Sequence, residues 1–246
     1  MDWQAPAVVL EARPYGEGDL VASVLTEERG LCRGLARGGA ARGRASLWQP
    51  GNLIEVRWVA RLADQLGSFT AELVHPGAAL AMDDPLALAV LAASCAVAAG
   101  GLPEHEAHPR VFQGLVRLIA GLSQGAPKLA ELVRWEATLL ADLGYGLDLS
   151  SCAVSGAAEG LAYVSPRTGR AVTEEAAGIW RDRLLRLPDF LLYPDAEGTE
   201  ADWRDGLRLT GHFLAREAFG SHHKPLPPAR QILYDRVAAL ETPDAG

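Results

Sequence analysis

Along the first third of the chain, apolar and polar residues alternate with a period of two in short runs separated by turn residues, the pattern of β-strands. The first run, Pro6 to Arg13, sets Val8, Leu10 and Ala12 on one face before Pro14-Tyr15-Gly16-Glu17-Gly18 breaks it. Asp19 to Thr26 predicts a second strand, Glu28-Arg29-Gly30 a turn, and Leu31 to Arg37 a third strand. Alternation is clearest from Asn52 to Arg61, where Ile54, Val56 and Trp58 point one way and Glu55, Arg57, Val59 and Arg61 the other. Ser68 to His75 gives a fifth strand. Five short antiparallel strands with a Gly-rich connection fit an OB-fold, and the pattern alone equally allows an SH3-like barrel.

After Gly77 the period lengthens to that of a helix. Met82-Asp83-Asp84-Pro85 supplies an N-cap with proline in the first turn and launches an Ala-rich helix. From Pro109 to Leu122, the residues Val111, Leu115, Leu118, Ile119 and Leu122 form an apolar stripe. Lys128 to Leu143 buries Leu129, Leu132, Val133, Leu139, Leu140 and Leu143, leaves Glu131, Arg134, Thr138 and Asp142 outside, and stops at Gly144-Tyr145-Gly146. A loop-rich stretch from Asp148 to Arg170 precedes a helix around Glu174 to Leu187. The last long helix, Ala201 to Phe219, faces inward with Trp203, Leu207, Thr210 and Leu214 and outward with Arg204 and Arg208. The predicted class is α+β: a barrel over residues 1–78, then a mainly helical domain over 79–246.

The 49% apolar content fills a sizeable core. The segment from Pro85 to Pro103 carries no charge, but alanine supplies much of it, so its drive to enter a bilayer is small and a buried helix of a soluble protein is expected. Cys32, Cys95 and Cys152 lie far apart and form neither a disulfide framework nor a paired metal motif, which points to a reducing cytoplasm. The start, Met1-Asp2-Trp3-Gln4-Ala5-Pro6, lacks the basic and apolar regions of an export signal. A formal net charge of −8 argues against a protein that coats nucleic acid with its whole surface. The local balance differs: from Arg29 to Arg61 the bases are Arg29, Arg33, Arg37, Arg42, Arg44, Arg57 and Arg61, and Glu55 is the only acid.

No constellation for bond chemistry emerges. His105-Glu106-Ala107-His108 lacks the i, i+4 histidine spacing of a zinc protease and reads as a solvated linker. His222-His223 are adjacent, so their rings do not converge on one ion, and they read as exposed or DNA-proximal. Gly38-Gly39-Ala40-Ala41-Arg42-Gly43-Arg44 lacks the Gly-Lys-Ser/Thr ending of a nucleotide loop. It offers instead flexible backbone, free amides and, with Arg37, three guanidinium groups for a polyanion. There is no carboxylate cluster suited to two-metal hydrolysis.

Arg33 and Arg37 share one strand face, as do Arg57 and Arg61, and the four form one patch if those strands are neighbours. Trp48, Trp58 and Phe69 lie in the same region. Trp58 and Phe69 sit on apolar strand faces and read as core, while Trp48, beside a loop, fits either core or a base-stacking surface. A solvated charged face is the plain alternative for the arginines.

The chain resembles the RecO family in several ordered pieces. Ala7-Val8-Val9-Leu10 through Gly16-Glu17-Gly18-Asp19-Leu20 to Leu25-Thr26-Glu27-Glu28-Arg29-Gly30 is similar to that family's first hairpin, and Gly34-Leu35-Ala36-Arg37-Gly38-Gly39 to its basic barrel loop. Leu139 to Leu149 is similar to its helix ahead of the cysteine region, and Lys224-Pro225-Leu226-Pro227-Pro228-Ala229-Arg230 to its C-terminal segment. The resemblance implies an N-terminal OB-fold, a helical domain and no enzymatic activity. It implies a cytoplasmic, nucleoid-associated bacterial protein that binds single- and double-stranded DNA and anneals complementary strands. It further implies association with RecR, contact with the acidic tail of single-stranded-DNA-binding protein, and indirect help to RecA. Some family members hold zinc with four cysteines. Here Cys152 stands alone, Ser155 takes the place of a C-x-x-C partner, and Gly169 to Thr173 has no cysteine, so neither metal nor cofactor is expected. The degenerate loop over 148–173 is then held by Leu161, Tyr163 and Val164 and by turns at Pro166 and Gly169.

The DNA-contact candidates are Arg33, Arg37, Arg42, Arg44, Arg57 and Arg61 on the barrel and Arg204, Arg208, Lys224 and Arg230 beyond it. A second hypothesis makes the helical domain an adaptor with little DNA affinity, where Arg117, Lys128 and Arg134 receive the acidic, apolar-ended tail.

Overall fold

The structure, a computed structural model, describes residues 1–62, 65–122 and 129–240. The chain divides into two compact units, Met1–Lys128 and Leu129–Gly246. In the first, strands β1 (Asp2–Tyr15), β2 (Asp19–Thr26), β3 (Gly30–Ala36), β4 (Leu53–Val59) and β5 (Ser68–His75) close a barrel in the order β1-β2-β3-β5-β4. β3 and β5 run parallel while the other pairs are antiparallel. This order selects the OB-fold from the two barrels that alternation allows. The β2 and β5 bounds match the sequence pattern, and β1 is longer than its apolar run because it serves two neighbours. Residues 2–8 pair with β4 and residues 7–15 with β2, and an irregularity at Val9/Glu11 turns the strand between them.

The barrel interior is filled by Ala7, Val9, Ala22, Val24, Cys32, Ile54, Val56, Trp58 and Phe69, with Trp48 added from the β3–β4 connection; in β1 these are the alternates of Val8 and Leu10, which are buried outside this cluster, and the irregularity at Val9/Glu11 brings Ala12 back against it. Gly34 lies on the inner face of β3, where a Cβ would stand 2.7 Å from the Phe69 ring, so the aromatic occupies space that any other residue would block.

Three helices follow in the same unit: α1 (Gly77–Leu80), α2 (Pro85–Gly101) and α3 (Pro109–Leu122). The Asp84 carboxylate accepts from the amides of Leu86 and Ala87 with Pro85 at the first turn, a cap worth about 1 kcal/mol. The uncharged α2 packs against β1 and β2, and no helix among the described residues is long and apolar enough to cross a membrane. The predicted α3 stripe is wholly buried. Strands give way to helices between His75 and Gly77, yet these helices join the barrel in one compact unit.

The second unit contains α4 (Leu129–Asp142), β6 (Leu161–Val164), β7 (Ala171–Thr173), α5 (Glu174–Ala177), β8 (Leu185–Arg186), α6 (Glu200–Phe213) and α7 (Pro228–Leu240). The helix expected from Glu174 to Leu187 is not formed. Only α5 is helical; Gly178 then takes a positive φ, a 3-10 turn runs to Arg183, and β8 joins β6 and β7 in a sheet of order β7-β6-β8. That sheet lies within the stretch read as loop and helix, and Leu161, Tyr163 and Val164 are buried in it together with Ala171, Val172, Thr173 and Leu185. α6 continues as a π-helical stretch over Leu214–Phe219, close to the expected end. α7 is a further helix that the sequence reading missed.

Candidate nucleic-acid interface

The arginine-bearing strands are not neighbours, because β5 stands between β3 and β4. It nevertheless links them. Ala36, the residue before Arg37, pairs with Phe69, and Thr70, the residue after Phe69, pairs with Arg57. Arg37 and Arg57 therefore lie on adjoining registers of the barrel's outer surface, about two strand spacings apart. Both are exposed, as are Arg33, Arg42, Arg44 and Arg61.

The connection from Arg37 to Trp48 is built, not loose. Gly38 N–H donates to the Asp19 carboxylate at 2.7 Å, and the amides of Gly39, Ala40, Ala41 and Arg44 donate to the carbonyls of Ala36, Gly18, Gly38 and Ala41. Those amides are thus not available to a ligand, contrary to the expectation of free donors; the successive turns consume them. Buried Asn52 anchors the far end, donating to the carbonyls of Ser46 and Leu47 and accepting from Ala78 N–H. The connection presents to a polyanion mainly side-chain charge, the exposed guanidinium groups of Arg37, Arg42 and Arg44 on a hydrogen-bonded frame.

Two strand arginines have acidic neighbours. Arg57 donates to both carboxylate oxygens of Asp2, at 3.0 and 3.1 Å from Nε, and this hydrogen bonding lowers the Asp2 carboxyl from its ordinary value and raises the guanidinium. Arg33 pairs with Glu104 at 3.1 Å. Both pairs are well exposed, and an exposed pair contributes little stability and yields to competing anions.

The aromatic candidates are core. Trp48, Trp58 and Phe69 are 4%, 6% and 3% exposed, which resolves Trp48 as a packing residue. Trp48 stacks on Phe69 at 6.1 Å. Trp3 was overlooked in the sequence; it is half-buried, stacks on Trp58 at 5.9 Å, and has the Arg29 guanidinium 5.3 Å from its ring centre. Trp3 pairs with Trp58 in the β1–β4 ladder, ahead of the apolar run that begins at Pro6 and marks the strand in the sequence.

The solvated linker expected at His105–His108 is also revised. Leu31 and Glu104 form a parallel bridge, His105 N–H donates to the Leu31 carbonyl at 2.9 Å, and His108 is buried. Gly30, at φ +63°, accommodates this segment, since a Cβ there would stand 1.7 Å from the Glu106 carbonyl oxygen.

In the second unit the candidates divide. Arg208 and Lys224 are exposed, as are His222 and His223, and Arg204 pairs with Asp205 at 3.0 Å. Arg230 must be withdrawn as a DNA contact. It is 1% exposed and forms a two-pronged ion pair with fully buried Glu136, while its Nη2 also donates to the Leu207 carbonyl at 2.7 Å. Thr210 Oγ1 donates to the same carboxylate, so one acid joins α4, α6 and α7. Arg134 is likewise unsuited to receive a partner's carboxylate, because it donates to the carbonyls of Phe190, Tyr193, Pro194 and Ala196 and clamps that loop. Arg117 is exposed, and Lys128 lies outside the described residues.

Around Cys152 the turn closes without further cysteines. Its sulfur accepts from the amides of Ser155 and Thr173, and Arg170 pairs with Asp148 across the loop. Among the described residues no group of three His, Cys, Asp or Glu side chains is arranged to hold a metal ion. Burial pushes the Cys32 thiol up to about 11 and the Cys95 thiol up to about 12, so both are protonated at neutral pH and poor nucleophiles.

Comparison with known proteins agrees across the chain. Residues 1–76 match the family described as Recombination protein O N terminal, and residues 82–226 match Recombination protein O C terminal. Among similar proteins, the "DNA repair protein RecO" of Granulibacter bethesdensis is 61% identical over 98% of this chain and 97% of its own length. The proteins of the same name from Gluconacetobacter diazotrophicus and Acidiphilium cryptum are 59% and 62% identical, covering 98% and 96% of this chain and 97% and 96% of their own lengths.

Proposed function

We propose, from the premise that this chain belongs to the RecO family and so has a role in DNA repair and recombination, that it acts by binding single- and double-stranded DNA and annealing complementary strands. RecO is not a known enzyme family, and the proposed activity needs no catalytic group. Annealing requires that two phosphate backbones be neutralised side by side while the bases stay accessible for pairing. The observation that carries this reading is the hydrogen-bonded connection that bears Arg37, Arg42 and Arg44, all exposed, and that leaves the barrel at Arg37, on a register adjoining Arg57. Arg33 and Arg61 extend the set on the barrel, and the second unit carries candidates of its own in Arg204, Arg208 and Lys224.

On the family's pattern we also assign it contacts with RecR and with the acidic tail of single-stranded-DNA-binding protein, help to RecA indirectly, and a cytoplasmic, nucleoid-associated location. For the tail, Arg117 is the remaining described candidate.

The test is annealing of complementary oligonucleotides by the full chain. Replacing Arg37, Arg42 and Arg44 together by Ala lowers DNA affinity about tenfold or more at moderate salt and slows annealing in step. Unchanged affinity and unchanged annealing would remove the connection from the reading.

A further inference from the structure

A cavity of about 720 Å³ opens at one end of the barrel, lined by Met1, Asp2, Trp3, Glu28, Arg29, Cys32, Trp58 and His105. Two indoles stacked at 5.9 Å with 19° between their planes form one wall, and the exposed Arg29 guanidinium lies over the outer ring. Glu28 and His105 bring polar atoms to the lining, while the neutral Cys32 thiol lies 3.9 Å from His105 Nδ1. Two of the phosphate-contact candidates neighbour it. Arg57 is bonded to the lining residue Asp2, and Arg33 to Glu104, the residue before His105.

Flat aromatic walls, a guanidinium that stacks, a carboxylate that accepts from an amino group and a rim of arginines are the chemistry that recognises one unstacked base on a charged strand. In the lining the carboxylates of Asp2 and Glu28 are balanced by the Arg29 guanidinium and the Met1 ammonium, so the flat walls take the ligand's neutral ring while Arg33 and Arg57 outside suit its backbone phosphates. We propose that this cavity is a binding site for a single unpaired nucleobase of a DNA strand, stacked on the outer face of Trp3 in the place the exposed Arg29 guanidinium now takes, with Arg29 swung aside, and bonded through its exocyclic amino group to Glu28. The proposal rests on the DNA-binding reading and adds to it a reason for preferring single strands: a duplex keeps its bases stacked inside.

The experiment uses the full chain and oligonucleotides that carry 2-aminopurine, with duplex DNA as the parallel ligand. Binding quenches 2-aminopurine. Trp3→Ala abolishes the quench and weakens single-strand affinity about tenfold, leaving duplex affinity unchanged. Trp3→Phe, which keeps a stacking ring, retains most of both. Because Trp3 also packs on Trp58, the exposed Glu28→Gln serves as a second variant: the wild type favours oligo-dA and oligo-dC over oligo-dT, and Glu28→Gln loses that preference. The proposal is overturned by a quench that survives Trp3→Ala with duplex binding intact, or by a base preference that is absent in the wild type or untouched in Glu28→Gln. If the wild type binds neither single strands nor duplex, the DNA-binding reading itself falls and this site with it.

Discussion

Two arginine regions of this chain invite the same reading from sequence and have opposite fates in the structure. Arg37, Arg42 and Arg44 lie on a connection whose amides at Gly38 to Ala41 and at Arg44 are hydrogen-bonded, and their side chains face water. Arg230 follows a Pro-rich stretch with a neighbouring Lys224 and is drawn wholly inside by Glu136, a residue 94 positions away. The difference teaches that a cation's role is set by whether the core contains an unpaired acid. Leaving Glu136 alone in an apolar helix interface would cost several kcal/mol, far more than any exposed pair contributes.

The largest expected effect breaks the buried side of this comparison. Glu136→Ala strands the Arg230 guanidinium and lowers stability by about 3–5 kcal/mol, whereas Glu136→Leu with Arg230→Met is near neutral. Denaturant unfolding measures both, and equal destabilisation by the single and double changes would contradict the pairing argument.

The next effect sharpens the exposed side. Asn52→Ala removes the buried amide that holds the carbonyls of Ser46 and Leu47 and the Ala78 amide, costing about 1–3 kcal/mol. It also loosens the frame beneath Arg42 and Arg44, so DNA affinity falls in this variant although no arginine is changed. Stability loss with full affinity would show that the frame is irrelevant to binding.

How much of this was legible follows from the length of each signal. Long alternations and stripes gave β2, β5 and α3 their bounds, and Asp84-Pro85 announced α2. β6, β7 and β8 have four, three and two residues, too short to show a period, and so the chain there read as loop and helix. α7 buries only Arg230, Leu233 and Val237, a thin stripe, although Pro228 at its start was a usable signal. Glu136 was the missed clue to Arg230: it falls between Leu132 and Leu140 at intervals of four, an acid on an apolar stripe that needs a buried partner. Nothing local in the sequence marks which of several arginines supplies that partner, because α4 and α7 meet only through the fold.

Smaller effects separate single residues. Asp84→Ala costs about 1 kcal/mol through loss of the α2 cap and leaves DNA binding unchanged. Asp2→Asn frees the Arg57 guanidinium and raises DNA affinity by no more than a few-fold. Since the Asp2 carboxyl is held below its ordinary value of 3.8, the pair is intact above that pH and is lost as pH falls through the lowered value. Titration of the Asp2 side chain by NMR gives the direction, and a raised carboxyl would contradict the pairing.

The most direct measurement is the slope of log affinity for a single-stranded oligonucleotide against log salt concentration, for the wild type and for the Arg37→Ala, Arg42→Ala, Arg44→Ala triple variant. Three lost phosphate contacts lower the magnitude of the slope by about two. Identical slopes in the two proteins would contradict the assignment of these arginines to the phosphate backbone.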